Sequence, residues 1–543
     1  MMNRLVRLLL SVSAGLMLSL SWLGFPGWIL FAAFLPLLLI DDYYVNNPVR
    51  RGSFHFWCYS AVAFLTWNIM TTWWIIHATP IGAFLAIVAN SLLMSLFFLL
   101  GHLIRTRSRK TTGYLAIAAL WLSFEMAHYH WDIEWPWLNL GNGFANNPAL
   151  VQWYEYTGVL GGSLWIWMVN ILLYFFLKRL AAKTDIQRVM ISGATLLMTI
   201  FLPLLVSFLL YRSYIEKPDP RKVLIIQPNI DPYSETHSEG ALNDKLLRYI
   251  RITESHIHSG TDYIVGPETV FEQDWNEAKL PDYPAIRRLQ KLTKEGGNSS
   301  LIIGASTYRF YNDMDKVPQT ARHTHDGKYY DVFNTAIFTD SAGNIQTYHK
   351  SILVSGVEKM PFRKYLKFLD SFIINLGGTT GSLGKQPEPE NFTAGNGDRI
   401  APAICYESVF GEYLARFVRK GAHAIFIITN DGWWKNTPGY RQHFSFARLR
   451  AIETRRSIVR SANTGISGII NQRGDVVLSS RWWVEDALEG SFNLNNQITF
   501  YVRYGDYIGR ISVLISVLLL IKSITERILK TKNRTNSNCV KPR

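Results

Sequence analysis

The chain has 543 residues, 48% of them hydrophobic and 14% aromatic, with a formal net charge of +15 and a mean hydropathy of +0.05. These averages conceal two very different parts, a mostly apolar stretch from Leu5 to Tyr211 and a polar stretch from Lys217 to about Tyr504. A nucleic-acid partner is excluded, because many of the basic residues flank apolar runs instead of gathering on one accessible face.

Runs of about 17–25 apolar residues are long enough to cross a bilayer. In chain order they fall near Leu5–Ser21, Phe25–Ile40, Phe54–Ile76, Ile81–Ile104, Tyr114–His130, Val159–Leu177, Val189–Tyr211 and Tyr507–Ile521, about eight predicted spans in all. The first two are short and joined by Trp22-Leu23-Gly24, which leaves a re-entrant pair open. The N-terminal run resembles a signal peptide but lacks a clear cleavage site and is followed by more spans, so it reads as retained. Glu125 is the only carboxylate within these runs.

Lys and Arg collect in alternate loops: Arg4 and Arg7, Arg50 and Arg51, Arg105 to Lys110, Lys178 to Arg188, and the tail from Lys522. The other loops, near Gly24, Thr79 and His130–Thr157, contain neither. By the positive-inside rule both termini are cytoplasmic, and the polar domain lies outside the cytoplasm. The expected organisation is N-terminal transmembrane helices over 1–216, a polar domain over 217–504, and a last transmembrane helix with a basic tail over 505–543.

In the polar part, short β-branched runs alternate with helical stretches, which predicts an α/β layered domain. Strands are expected at Val223–Gln227, Tyr263–Val265, Leu301–Ala305, Asn334–Phe338, Ile400–Ile404, Ala424–Thr429, Ile458–Ser461 and Gly468–Asn471. Helices are expected at Ala241–Ser255, Tyr283–Lys294, Gly411–Val418 and Gln442–Arg455, and a long loop over Gly377–Gly397. Pro361–Leu376 spaces Tyr365, Phe368, Leu369, Phe372 and Leu376 as one helical face, with Arg363, Lys364 and Lys367 on the other. Such a helix suits the headgroup interface; packing on the domain core is the alternative.

Cys405 carries the strongest chemical signal. It ends the apolar run Ile400–Ile404, while Cys58 lies inside a predicted span and Cys539 in a tail on the opposite side, so it has no disulfide partner. A lone thiol in an oxidising compartment is a liability unless its reactivity is wanted. Two further strand-end groups accompany it: Glu268 in Gly266-Pro267-Glu268-Thr269, and Lys350 in Tyr348-His349-Lys350. A carboxylate can accept the thiol proton, and an ammonium can favour the thiolate and then stabilise a tetrahedral oxyanion. The amide of Tyr406 is a candidate second donor. No cofactor is expected, and no metal, since no cluster has ligand spacing; His423 and His443 read as structural.

In that chain order, the segments around Glu268, Lys350 and Cys405 resemble the Glu–Lys–Cys motifs of the nitrilase superfamily. Asn430-Asp431-Gly432-Trp433-Trp434, Gln442-His443 and Arg460 to Gly465 are similar to its downstream part. With membrane spans before and after, and the loop Trp135-Pro136-Trp137-Leu138-Asn139-Leu140-Gly141, the chain resembles the bacterial apolipoprotein N-acyltransferase family over nearly its full length. The resemblance implies an α-helical membrane bundle bearing an extracytoplasmic αββα sandwich, in the bacterial inner membrane. It also implies transfer of an acyl chain from a phospholipid to the α-amino group of a diacylglyceryl-modified lipoprotein cysteine, through a thioester. By position, Glu268 is then the general base, Lys350 the oxyanion stabiliser and Cys405 the nucleophile, with Glu358, Tyr406 and Glu407 as active-site support. The chain departs from the family in having Gly266 where a Trp often precedes Pro-Glu, and Tyr233 is the candidate for a tryptophan usually found after the first strand. The rivals are a membrane-bound amidase with the same triad and, more distantly, a transporter or receptor, which would place charges within the spans.

Overall fold

The structure is a computed structural model that describes residues 2–108, 111–233, 239–311, 317–318, 320–359, 362 and 382–539. The segment Pro361–Leu376 lies, apart from Phe362, outside the described residues, as does the start of the 377–397 loop.

All eight apolar runs fall on helices: Arg4–Leu20, a broken helix over Gly27–Asn46, Gly52–Thr72, Pro80–Ser108, Thr111–Ala127, Tyr154–Ala181, Ile186–Ser213 and Tyr507–Cys539. Among the described residues, six of them are long and apolar enough to cross a membrane, and Thr112–Ala127 is apolar but shorter. The first helix starts where Asn3 accepts the Val6 amide at 2.8 Å, satisfying an otherwise orphaned N–H.

Two helices run well past the ends of their apolar runs. The last helix does not end at Ile521 but runs to Cys539, because Ile524, Glu526, Arg527, Ile528 and Leu529 continue a helix-favouring sequence beyond the apolar stretch. The helix Leu35–Asn46 continues past Ile40 and carries Asp41 and Asp42, so Glu125 is not the only carboxylate in the bundle. Asp41 is fully buried against His102 and Arg105, while Asp42 binds Arg105 at 2.6 Å and Lys178 at 2.9 Å. Their charges are matched by partners on neighbouring helices, as buried ions must be.

The polar part contains two sheets. The first is built from β1 (Pro220–Gln227), β2 (Tyr263–Val265), β3 (Phe271–Asn276), β4 (Ser300–Tyr311), β5 (Arg322–His323), β6 (Tyr329–Asp340) and β7 (Ile345–His349). The second comprises β8 (Phe392–Thr393), β9 (Arg399–Ile404), β10 (Ala424–Thr429), β11 (Ile458–Ala462), β12 (Gly468–Ile470) and β13 (Val476–Ser479); β14 (Asp486–Asn493) returns to the first sheet beside β1. The first sheet runs β14-β1-β2-β4-β6-β5, with β3 on β4 and β7 on β6; the second runs β13-β12-β11-β10-β9-β8. β9, β10 and β11 are parallel, and every residue of β10 and β11 is buried; β10 therefore reads as an apolar run up to Thr429, whereas β11 carries Arg460 and Ser461 within it.

Alternation along the strands sets the layers. Val223, Ile225, Tyr263, Val265, Ile302 and Phe338 share a core with the second sheet, and the rings of Tyr263 and Phe426 lie 5.3 Å apart between the sheets. Leu224, Ile226, Ile264, Leu301 and Ile303 face the other way, onto Tyr249 and Ile250 of helix Glu239–His256 and Ile286, Leu289 and Leu292 of helix Pro284–Glu295. Leu414 and Phe417 of helix Gly411–Arg419, and Phe446 and Leu449 of helix Pro438–Thr454, join the core of the second sheet. The result is helix, sheet, sheet, helix.

Helix Pro438–Thr454 also seats this sandwich on the apolar bundle. Gln442 accepts the Trp137 indole N–H at 2.8 Å and donates to the Trp22 and Thr71 carbonyls at 3.1 and 3.2 Å. Glu453 accepts the Val159 amide at 3.1 Å, and Arg455 binds Glu155 at 2.7 Å.

Candidate active site

Each expected group sits at a strand end. Glu268 follows β2, in a loop pinned to β4 by Gly266 N–H to Ile302 and Gly304 N–H to Pro267, at 2.8 and 2.9 Å. Only glycine fits at 304, since a Cβ there would stand 2.6 Å from the Glu268 Cα and the Thr269 nitrogen. Lys350 follows β7, its amide bonded to the Asn334 carbonyl of β6 at 2.8 Å. Cys405 follows β9 with φ 49°, in the left-handed region that non-glycine residues seldom occupy; such a residue costs about 1–3 kcal/mol and persists where its surroundings enforce it.

The sheets bring these ends together. Register pairs Ile404 with Ile428, so the ends of β9 and β10 lie side by side. The Asn430 amide, just past β10, donates to Glu268 Oε2 at 3.0 Å. Lys350 Nζ lies 3.2 Å from Glu268 Oε1 and 2.9 Å from Glu358 Oε1. Asn334 Nδ2 donates to both of those oxygens, at 2.7 and 3.1 Å, and Glu358 Oε2 accepts the Val354 amide at 2.8 Å. The cluster is almost dry: Lys350 is 1% exposed, Glu268 7% and Cys405 9%.

Its charges follow from this packing. Burial opposes the Lys350 charge, but Glu268 and Glu358 outweigh it and raise the ammonium pKa well above its ordinary value. Burial, reinforced by Glu268, pushes the Cys405 pKa far up, and the pull of Lys350 in the other direction is too small to offset it. Cys405 therefore rests as a thiol. Lys350 does favour the thiolate, as expected from its charge, yet not enough to produce one in a site this desolvated.

The residues flanking Cys405 are structural in their contacts. Glu407 Oε1 accepts the Tyr348 hydroxyl and the Ser351 amide, both at 2.7 Å, and Oε2 accepts the Ile404 amide at 2.8 Å. It thus ties the loop after Lys350 to the turn bearing Cys405. Burial pushes its pKa up to about 7 against the pull of those donors. The Tyr406 hydroxyl donates to the Glu134 carbonyl at 2.8 Å, and its ring stacks with Trp135 and Trp137, each at 6.5 Å. The Trp135–Gly141 loop therefore packs beside the turn that carries Cys405. Tyr233 lies apart from the Glu–Lys–Cys cluster, its hydroxyl on the Trp433 and His77 carbonyls at 2.5 and 3.1 Å.

Sequence reasoning did not select Asn334, although it opens an expected strand and its side chain bridges both glutamates. Nor did it select the segment 132–134: Glu134 pairs with Lys359 at 2.5 Å, and Asp132 accepts the Phe362 amide at 3.1 Å, fastening the stretch that carries Glu358 to the loop before Trp135. The Gly266 departure has a steric reason. A Cβ there would stand 2.8 Å from Ile303 and from the Tyr249 ring, so no larger side chain fits.

A two-sheet sandwich with glutamate, lysine and cysteine meeting at its strand ends defines a nitrilase-like domain. The carbon–nitrogen hydrolase family model matches residues 222–497, and the chain belongs to that family. Residues 14–172 match the model of the apolipoprotein N-acyltransferase N-terminal domain. The chain is 28% identical over 538 residues to the apolipoprotein N-acyltransferase of Chlorobaculum tepidum, covering 95% of this chain and 97% of that one. It is 26% identical to the protein of that name from Geobacter metallireducens, over 92% and 91% of the two chains. To that of Allorhizobium ampelinum it is 28% identical, over 90% of each.

Proposed function

We propose that this protein is a phospholipid-dependent N-acyltransferase that acylates the α-amino group of the diacylglyceryl-cysteine of apolipoproteins. Supporting this reading, relatives bearing that activity in their names are similar to it over nearly its whole length. The single observation that carries the chemistry is the dry Glu268–Lys350–Glu358 cluster beside Cys405, in a domain seated on apolar helices. A bundle of many spans, where one would anchor the domain, suits a substrate drawn from the bilayer. The chain divides as transmembrane helices over 1–216, catalytic domain over 217–504 and a final helix with basic tail over 505–543. All eight apolar helices act as spans, both termini are cytoplasmic, and the catalytic domain stands on the periplasmic side of the inner membrane.

The chemistry follows from a thiol that rests protonated. As the Cys405 sulfur attacks the ester carbonyl of the phospholipid, its proton passes to Glu268, so no free thiolate accumulates. The Lys350 ammonium and the Tyr406 amide meet the developing oxyanion. Glu268 returns the proton to the departing glycerol oxygen, leaving a lysophospholipid and an S-acyl Cys405. The acceptor amine then attacks the thioester and gives a proton to Glu268, which restores the thiol as the amide forms. Glu358 and Asn334 keep Lys350 and Glu268 in register throughout.

The transporter or receptor reading has less support, since relatives similar over nearly the whole chain carry the acyltransferase name. The test is incubation with phospholipid and a diacylated lipopeptide, followed by weighing the products. Triacylated peptide supports transfer, whereas free fatty acid alone supports the amidase-like end with water.

A further inference from the structure

Behind the nucleophile lies a chain of polar side chains that the reaction above does not use. Arg460, Asp431, His443 and Ser408 are all fully buried. Arg460 Nη2 donates to Asp431 Oδ2 at 2.6 Å, and Thr429 Oγ1 donates to Asp431 Oδ1 at 2.9 Å. His443 Nδ1 meets Asp431 Oδ1 at 2.9 Å. At the far side of the ring, Nε2 lies 2.9 Å from Ser408 Oγ and 3.2 Å from the Cys405 carbonyl oxygen, and Ser408 Oγ donates to that same carbonyl at 2.7 Å.

Protonation gives this chain a direction. Asp431 is buried, yet Arg460 and then His443 hold its pKa down to about 2, so it remains an acceptor. Asp431 Oδ1 and Arg460 Nη2, the latter 3.1 Å from Nδ1, together hold that end of the ring. Burial, with Arg460, lowers the His443 pKa, and Nε2 faces the oxygen of Ser408, whose own proton is given to the Cys405 carbonyl. That hydroxyl is held between the imidazole and the Cys405 carbonyl. The carbonyl belongs to the residue at φ 49°, where a backbone left to itself would relax.

We propose that His443 is a positioning residue for the nucleophile. Held by Asp431 and Arg460, it fixes Ser408 against the Cys405 carbonyl and keeps Cys405 in the left-handed conformation that aims its sulfur at the acyl carbon and the next amide at the acyl oxygen. The inference rests on the reading of Cys405 as the acylated group. It departs from the sequence-based view of His443 as a structural histidine only.

Two amide replacements separate the ends of the ring. In His443→Gln the side chain reaches the position of Nε2 beside Ser408; in His443→Asn it reaches only the position of Nδ1 beside Asp431. The full-length enzyme is mixed with phospholipid micelles, and acyl-Cys405 formation is followed by intact mass. His443→Asn is expected to slow it about 100-fold, the loss that a misplacement near 1 Å brings, with KM for phospholipid unchanged. His443→Gln is expected to stay within about tenfold of wild type, the scale of one hydrogen bond. Ser408→Ala leaves Asp431 and Arg460 satisfied and is expected to slow acylation about tenfold. A role confined to satisfying Asp431 gives the opposite order, Asn above Gln, and that order overturns the proposal, as does Ser408→Ala at the wild-type rate. The rate of Cys405 alkylation by iodoacetamide, read by peptide mass, is expected to follow the same order without any lipid. If wild type fails to acylate, the proposed function falls, and the alkylation order still decides the role of His443.

Discussion

Glu358→Gln changes the charge around Lys350 with almost no change in shape. Both oxygens of Glu358 face donors only: Lys350 Nζ at 2.9 Å and Asn334 Nδ2 at 3.1 Å on one, the Val354 amide at 2.8 Å on the other. A glutamine has one accepting oxygen. Turned toward Lys350, its NH2 opposes the Val354 N–H; turned the other way, it opposes the ammonium. One charge-assisted bond is lost in either case, worth about 1.5–3 kcal/mol. Lys350 is then left to Glu268, which ties up the oxygen needed for the thiol proton. Acyl-enzyme formation is expected to slow roughly 10- to 100-fold, with KM for phospholipid little changed. Single-turnover mixing with phospholipid and intact-mass sampling measures the rate, and a thermal melt checks the fold. A folded variant acylating at the wild-type rate would refute the idea that Glu358 holds Lys350 in place for the reaction.

Gly304→Ala places a methyl 2.6 Å from the Glu268 backbone and is expected to lower thermal stability by about 1–3 kcal/mol, the scale of overpacking, and to reduce acylation; a melt and the same rate assay check both. Glu407 ionises at about 7 in the folded protein, against an ordinary 4.5, so its neutral form stabilises the fold below pH 4.5 and that contribution is lost as pH rises through about 7. The shift corresponds to about 3 kcal/mol, and Glu407→Gln is expected to flatten the fall in melting temperature across that window. Glu453, raised to about 7 chiefly by burial, supplies a remaining slope; identical slopes for variant and wild type would contradict the assignment. Asp41→Ala leaves Arg105 buried without its main partner and is expected to destabilise the protein in detergent by about 3–5 kcal/mol, read as a lowered unfolding midpoint.

The candidate positions Glu268 and Cys405 were legible because strand ends are. β2 and β10 begin and end where the apolar runs Tyr263–Val265 and Ala424–Thr429 do, since both strands are wholly buried and leave no polar residue to blur their limits. Glu268 and Cys405 stand out as the first polar or reactive groups after the apolar runs of β2 and β9, whereas Lys350 follows the mixed strand Ile345–His349 and is marked only by its place at a strand end. Asn334 was not legible, because its partners come from two distant loops and nothing local marks it. The strands β5 and β8 are two residues each, too short for any alternation to show, and pair only through tertiary contact. Asp41 escaped notice because a hydropathy run ends at the first charge, whereas the helix continues to its ion partners on other helices. The resting state of Cys405 depends on the competition between burial and the charges of Glu268 and Lys350, which residue types alone do not decide.

The most direct test is the mass of the protein after exposure to phospholipid alone, with no acceptor present. Wild type is expected to gain one acyl chain, mapped to Cys405 and released by hydroxylamine, while Cys405→Ser folds and inserts normally but gains none. An active preparation that transfers acyl groups with Cys405 unmodified, or with Cys405→Ser still competent, would contradict the thioester route.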